Sequence, residues 1–174
     1  MELKGRMWIL DEDDINTDVI YPGKYTYELF SPEEMAKHAL EDFDPGFAGK
    51  VEQGDIVIAG RNFGCGSSRE QAVSCMKYAG VAAIIAPSFA RLYYRNAINQ
   101  ALHVIVCPEA ADYARGNKDD MQLGEAGIDL GKGKIVIGDR EFSFTPMSGK
   151  ALEIFEAGGL EPYTKKRLES STGS

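Results

Sequence analysis

The stretch Gly60-Arg61-Asn62-Phe63-Gly64-Cys65-Gly66-Ser67-Ser68-Arg69-Glu70-Gln71 gathers two hydroxyls, two guanidiniums and three glycines into one turn. Glycine permits positive φ and close approach of another group to the backbone. The apolar run Asp55-Ile56-Val57-Ile58-Ala59 leads into the turn as a buried strand, and Ala72 to Ala79 leads out of it as a helix. The serines and Arg69 therefore fall at an expected helix N-terminus, where free N–H groups favour an anion. Ser67-x-x-Glu70 and Ser68-x-x-Gln71 both fit a capping box, so one serine could be simply a cap. A cap leaves the glycines and Arg69 unexplained. A cation at that helix end is mildly unfavourable unless an anion offsets it, and the planar fork of Arg69 suits a carboxylate.

The turn is not a phosphate-binding P-loop, because G-x-x-x-x-G-K-[ST] is absent. Nor is it a nucleophile elbow, because it lacks the second glycine of G-x-S-x-G. No histidine stands near it in sequence to activate a serine. For Ser67 to act as a base, its hydroxyl must lose a proton. A helix end supplies about 0.3–2 kcal/mol, and a tenfold change in acidity requires about 1.4 kcal/mol. The dipole alone thus falls far short. Backbone donors, cations or a metal must supply the rest, and the chain has no convincing set of metal ligands. A catalytic Ser67 needs a partner that completes the site.

The bulk composition bounds the remaining possibilities. With 174 residues the chain fits one domain, expected over residues 1–167, followed by a low-complexity tail over 168–174 expected to be disordered. The balance of 19 basic and 27 acidic residues, a net charge of −8, disfavours nucleic acid or an anionic membrane as the main partner. No apolar run reaches the ~18 residues of a membrane span, and the N-terminus has no signal-peptide pattern. The expected location is the cytoplasm. Cys65, Cys75 and Cys107 are odd in number and lack the tight C-x₂-C pair usual for iron–sulfur ligation. No cofactor is expected on this chain.

The elements that must position the turn follow from pattern. Arg6 to Leu10 reads as a first strand, and the acidic, turn-rich Asp11 to Asp18 as a solvated loop, with a site-supporting role open for Thr17 and Asp18. Pro22-Gly23 marks a turn. Lys24-Tyr25-Thr26-Tyr27-Glu28 then forms a loop that either covers the sheet or reaches a substrate. Ser31-Pro32-Glu33-Glu34 is a capping box that starts a helix running to about Leu40. Strands at 82–86 and 103–107 alternate with a helix from Phe89 to Asn99, capped by Ser88. Arg91 and Arg95 share a face of that helix and either pair with acids, the expected outcome, or project towards the same anion site. Pro108 to Ala114 is a short helix, 116–127 a polar loop, and 128–144 three short strands with a hairpin turn at Gly138-Asp139-Arg140. Ser148 to Ala157 closes the domain as a helix. His38 and His103 read as packing or strand-edge residues. The expected class is α/β, with parallel strands joined by right-handed crossovers and an added C-terminal antiparallel hairpin.

At these residues the chain resembles the small subunits of 3-isopropylmalate dehydratases, within the aconitase superfamily. The resemblance runs through Asn16-Thr17-Asp18-Val19-Ile20, Gly54 to Gly60, Asn62 to Glu70, Pro87 to Arg91, Tyr94 to Asn99 and Ala157-Gly158-Gly159-Leu160, so it covers nearly the whole chain. It implies the swivelling β/β/α domain of aconitases. It implies a separate large subunit that carries a [4Fe–4S] cluster, with the active site between the two chains. It also implies reversible dehydration and rehydration of a small 2-hydroxy dicarboxylic acid, a step of leucine biosynthesis if that acid is isopropylmalate. By the same analogy Ser67 is the base, Ser68 assists through a hydrogen bond, and Arg69 binds a substrate carboxylate. Substrate choice is assigned to the loop carrying Lys24, Tyr25 and Thr26. No arginine stands between Tyr21 and Glu28, which favours a less polar substituent such as isopropyl, while Lys24 leaves homoaconitate, citramalate and dimethylmalate open. Two other readings stay open: a non-catalytic anion-binding module and a self-contained serine hydrolase.

Overall fold

The computed structural model describes residues 1–173. In chain order it contains β1 (Glu2–Ile9), α1 (Thr17–Ile20), a 3-10 turn (Gly23–Tyr25), α2 (Pro32–Ala36), α3 (Phe47–Lys50), β2 (Ile56–Ile58) and α4 (Gln71–Tyr78). β3 (Ala83–Ala86), α5 (Arg91–Asn99), β4 (His103–Val106), α6 (Pro108–Gly116) and α7 (Lys118–Met121) follow. β5 (Glu125–Asp129), β6 (Lys134–Ile137), β7 (Arg140–Ser143), α8 (Gly149–Glu156) and α9 (Leu160–Thr172) complete the chain.

All seven strands form one mixed sheet in the order β4-β3-β2-β1-β5-β6-β7. β1 is its hinge, longer than the pattern predicts and shared between two kinds of pairing. Met7 to Ile9 run parallel to β2, while Glu2 to Arg6 run antiparallel to β5. β2, β3 and β4 continue the parallel half, and β5, β6 and β7 form an antiparallel meander.

Successive strand residues face opposite sides, and the cores divide accordingly. Trp8, Val57, Ile84 and Val104 belong to one core, with residues of α1, α4 and α5. Met7, Ile9, Ile56, Ile58, Ile85 and Ile105 belong to the other, with Ala110, Ala111 and Ala114 of α6 and Ile128, Ile135 and Ile137 of the meander. The sheet curls so that its two ends approach, and the Cys107 thiol reaches the Ser143 carbonyl at 3.5 Å. Buried Asp55 ties β1 to β2. It accepts from Arg6 Nη2 at 2.7 Å, Trp8 Nε1 at 2.8 Å and the Glu52 N–H at 2.9 Å.

Several expectations change at the element ends. The helix begun by Ser31, whose hydroxyl accepts the Glu34 N–H at 3.2 Å, stops at Ala36 rather than near Leu40. Leu40 takes a left-handed φ of 55° that places its side chain wholly in the core. Ser88 does not cap α5; its hydroxyl accepts the Asn62 N–H at 2.8 Å instead. Arg91 and Arg95 are exposed and, among the described residues, pair with no carboxylate, so the expected salt bridge is not formed. The polar loop at 116–127 carries α7 and the start of β5. Residues 168–172 continue α9, with Lys165–Glu161 paired at 2.8 Å one turn apart and the Ser170, Ser171 and Thr172 hydroxyls bonded back onto the helix. Ser174 lies outside the described residues.

Candidate active site

The glycine-rich turn leaves β2 at Gly60 and reaches α4 at Gln71. It is held on both sides by backbone. Gly64 N–H donates to the Ile15 carbonyl and Thr17 N–H to the Cys65 carbonyl, each at 2.8 Å. On the other flank Ala90 N–H donates to the Phe63 carbonyl at 2.9 Å. Gly64 is needed for two reasons. Its φ is +82°, and a Cβ there would meet the Tyr93 ring at 2.2 Å. A Cβ on Gly60 would lie 2.1 Å from the Glu12 carbonyl oxygen, which is how closely the acidic loop approaches.

That loop is more than a solvated surface. Asp13 Oδ1 accepts the Arg61 N–H at 2.8 Å, and Asp14 accepts from the Asn62 side chain at 2.8 Å. Arg115 of α6 reaches Asp11 at 3.1 Å and Asp13 at 3.2 Å. Asn16 then caps α1 by accepting the Val19 N–H at 3.0 Å, which fixes Thr17 and Asp18 on the first turn facing the serines.

Neither serine caps α4. The helix starts at Gln71, and Glu70 flanks it in a helical conformation with no side-chain cap. Ser67 and Ser68 precede this start by about one turn, beyond the range where a helix dipole acts strongly. The capping-box spacing matches twice in sequence, yet the turn is held by tertiary partners. Ser67 Oγ lies 2.8 Å from Thr17 Oγ1 and 3.1 Å from Arg69 Nε, with the Arg69 N–H at 3.4 Å. Its own N–H donates to Thr17 Oγ1 at 3.1 Å. Ser67 and Ser68 are both exposed. The Ser68 carbonyl accepts from Asn96 Nδ2 at 3.0 Å, which anchors the turn to α5.

Arg69 is only 14% exposed along its side chain. Besides Ser67 it donates to Thr26 Oγ1 at 2.9 Å, to the Tyr21 carbonyl at 3.1 Å and to Asp18 Oδ1 at 2.5 Å. The anion that offsets this arginine in the structure is therefore the chain's own Asp18 carboxylate. An incoming carboxylate must use the remaining Nη1 proton or displace Asp18.

The structure brings Ser67, Arg69 and Thr26 together. Lys24 and Tyr25 turn away to Glu41, at 3.8 Å and 3.2 Å. The Tyr25 ring packs on His38 at 4.0 Å. Burial pushes the Glu41 carboxyl up, but its bonds from His38 and Tyr25 outweigh this and hold it below its ordinary range. In the same loop as Thr26, Tyr27 and Leu29 are 96% and 102% exposed. The Gln71 side chain ties this loop to α4 through the Thr26 carbonyl at 3.0 Å. Thr17, Asp18 and Asn96 are the site neighbours that local pattern leaves unassigned. The polar triplet Asn16-Thr17-Asp18, closely followed by apolar residues, is the signal that points to the first two.

Among the described residues no group of three or more His, Cys, Asp and Glu side chains could hold a metal ion. Cys65 is half-buried in the turn, while Cys75 and Cys107 are buried in opposite cores, so the three thiols do not converge on a cluster. Among the described residues no helix is long and apolar enough to cross a membrane.

Two donors from Arg69 face the Ser67 oxygen. Hydrogen bonds to a charged group contribute about 1.5–3 kcal/mol each, so together they supply at most roughly 3–6 kcal/mol, or two to four powers of ten in acidity. An aliphatic hydroxyl, like bulk water, holds its proton far more tightly than those bonds can offset. The serine is thus prepared for deprotonation by its neighbours without being ionised by them.

Comparison with known proteins extends this picture. The family model described as the aconitase C-terminal domain matches residues 4–110. The 3-isopropylmalate dehydratase small subunit of Moorella thermoacetica is 45% identical over 161 residues, covering 91% of this chain and 93% of that protein. The methanogen homoaconitase small subunit of Methanothermobacter thermautotrophicus is also 45% identical, over 170 residues, covering 97% and 94%. The crystal structure of a 3-isopropylmalate dehydratase from Methanocaldococcus jannaschii superposes with a TM-score of 0.87 at 43% identity, over the whole of both chains.

Proposed function

The chain belongs to the aconitase C-terminal domain family, and from that premise we propose that it is the small subunit of a 3-isopropylmalate dehydratase. In this reading it forms half of a hydro-lyase that moves a hydroxyl between adjacent carbons by dehydration and rehydration. The observation that carries the reading is the Ser67 oxygen held between Thr17 and Arg69 on an exposed turn. Such an oxygen is placed to accept a proton from a substrate carbon arriving from the open face.

The roles of this chain follow from that placement. Ser67, once its own proton has left to solvent, takes the C–H proton as the alkoxide and later returns it. Arg69 orients a substrate carboxylate, exchanging part of its bond with Asp18 for one to the ligand. The Ser68 hydroxyl, exposed beside them, adds a hydrogen bond to the substrate. Thr26 holds the guanidinium in place, and Tyr27 and Leu29 offer apolar surface to an isopropyl group. Lys24 and Tyr25 act on the substrate only if the loop leaves Glu41.

The partner is a large subunit, as the small-subunit names of the relatives imply. That subunit is proposed to carry a [4Fe–4S] cluster, which supplies a Lewis acid for the leaving hydroxyl. Among the described residues the Cys, His and carboxylate groups do not fit a cluster, and the part proposed for this chain is binding and proton transfer. A second reading, a homoaconitase small subunit, is favoured by one observation: a relative of that name is as similar as the dehydratase subunits.

Reconstitution with the large subunit and a screen of 2-hydroxy dicarboxylic acids tests both readings. Turnover of 2-isopropylmalate without turnover of homocitrate supports the first, and the reverse supports the second. No turnover of any such acid by a well-assembled complex removes both.

A further inference from the structure

We propose that Thr17 is a positioning residue for Ser67, donating its hydroxyl proton to the Ser67 oxygen and completing a three-donor cradle around it. This rests on the reading of Ser67 as the base.

The two oxygens lie 2.8 Å apart, and distance alone allows either to donate. Burial decides the direction. Thr17 is 2% exposed, and its oxygen already accepts the Ser67 N–H at 3.1 Å. Among the described residues the Ser67 oxygen is the acceptor within reach of the Thr17 proton. If Ser67 donated instead, that proton would be a buried donor without a partner, which is unfavourable. Ser67 is exposed, so its own proton can turn outward to solvent or substrate at no such cost.

The consequence is a defined arrangement. The Ser67 oxygen receives the Thr17 O–H, Arg69 Nε at 3.1 Å and the Arg69 N–H at 3.4 Å. As a neutral hydroxyl that oxygen has two lone pairs for these donors, and the alkoxide left when its proton departs has a third. When that proton leaves, three donors are already aimed at the charge that develops, and none has to reorganise. Thr17 holds its place because it opens α1, with its N–H bonded to the Cys65 carbonyl at 2.8 Å and the preceding Asn16 as cap. It does not touch substrate and acts through Ser67.

An introduced thiol tests the bond without depending on turnover. Ser67→Cys, in a full-length chain also carrying Cys65→Ser, is alkylated with iodoacetamide across pH and followed by peptide mass spectrometry. The pH midpoint of alkylation is compared with Thr17, Thr17→Val and Thr17→Ser behind it. Loss of a donor to the charged form raises a thiol's pKa, so Thr17→Val should move the midpoint up by about one unit, and Thr17→Ser should restore it. An unchanged midpoint in Thr17→Val, or an equal rise in Thr17→Ser, overturns the proposal. Thr17→Ala replaces Thr17→Val if the latter does not melt cooperatively, and failure of both to fold also overturns it, leaving Thr17 a structural residue.

In the assembled complex with serine in place, Thr17→Val should lower kcat by about 10²-fold and shift the acid limb of the kcat profile to higher pH, with KM little changed. A loss carried by KM alone counts against the proposal. If the thiol midpoint behaves as expected while the wild-type complex turns over no substrate, the assignment of Ser67 as base fails and the hydrogen bond stands.

Discussion

Arg69 donates to the Asp18 carboxylate at 2.5 Å, which joins the serine turn to α1 across 51 positions of sequence. The guanidinium at once holds Ser67, Thr26 and the Tyr21 carbonyl. A lysine ammonium is a compact charge and cannot span acceptors spread around a planar fork. Arg69→Lys in the assembled complex should therefore raise KM by at least about tenfold and lower kcat as well, because Ser67 loses its Nε donor. Steady-state kinetics check this, and an unchanged KM would remove Arg69 from substrate binding.

Gly64→Ala should destabilise the chain by about 2–5 kcal/mol, combining a positive φ with overpacking in the core. The Tyr93 ring that would have to move is 1% exposed, and its hydroxyl bonds the Ala72 carbonyl at 3.1 Å. A urea unfolding curve measures the loss. A change below roughly 1 kcal/mol would show that the turn can relax around the extra methyl.

Much of the fold is legible in the sequence because it is local. β2, β3 and β4 are short β-branched runs between turn residues, and they fall within a residue or two of their expected places. The divided pairing of β1 is not legible, since one alternating strand carries no mark of where a parallel neighbour gives way to an antiparallel one. The serine turn shows the same limit at the site. Ser67-x-x-Glu70 matches a local cap, but the partner that holds Ser67 is Thr17, supplied by α1 far off in sequence. Arg69 is expected to hold a bound anion, and the tertiary structure pairs it instead with the chain's own Asp18. Lys24 and Tyr25 share a loop with Thr26, yet both bond to Glu41 rather than to Arg69.

His103 links the fold to pH. It opens the edge strand β4 and stacks on Phe155 of α8 at 4.1 Å, in an apolar groove of about 970 Å³. Burial lowers its pKa to about 4. The unfolded chain takes up this proton at about pH 6.5, before the folded chain does. The stability His103 contributes is therefore fully present above about pH 6.5 and is lost as pH falls from there to about 4. His103→Phe should flatten the fall in urea midpoint between pH 7 and 4.5. An equally steep fall in the variant would place the titrating group elsewhere.

The central claim is that Ser67 is this chain's proton-transfer group and works only in company with a large subunit. The most direct test is turnover of 2-isopropylmalate by the reconstituted complex with Ser67 or Ser67→Ala. The expected result is a kcat loss of about 10²–10⁴-fold, with assembly and KM retained, and no turnover by the wild-type chain alone. A Ser67→Ala complex that keeps most of its kcat, or an isolated chain that turns over the substrate, would contradict the account.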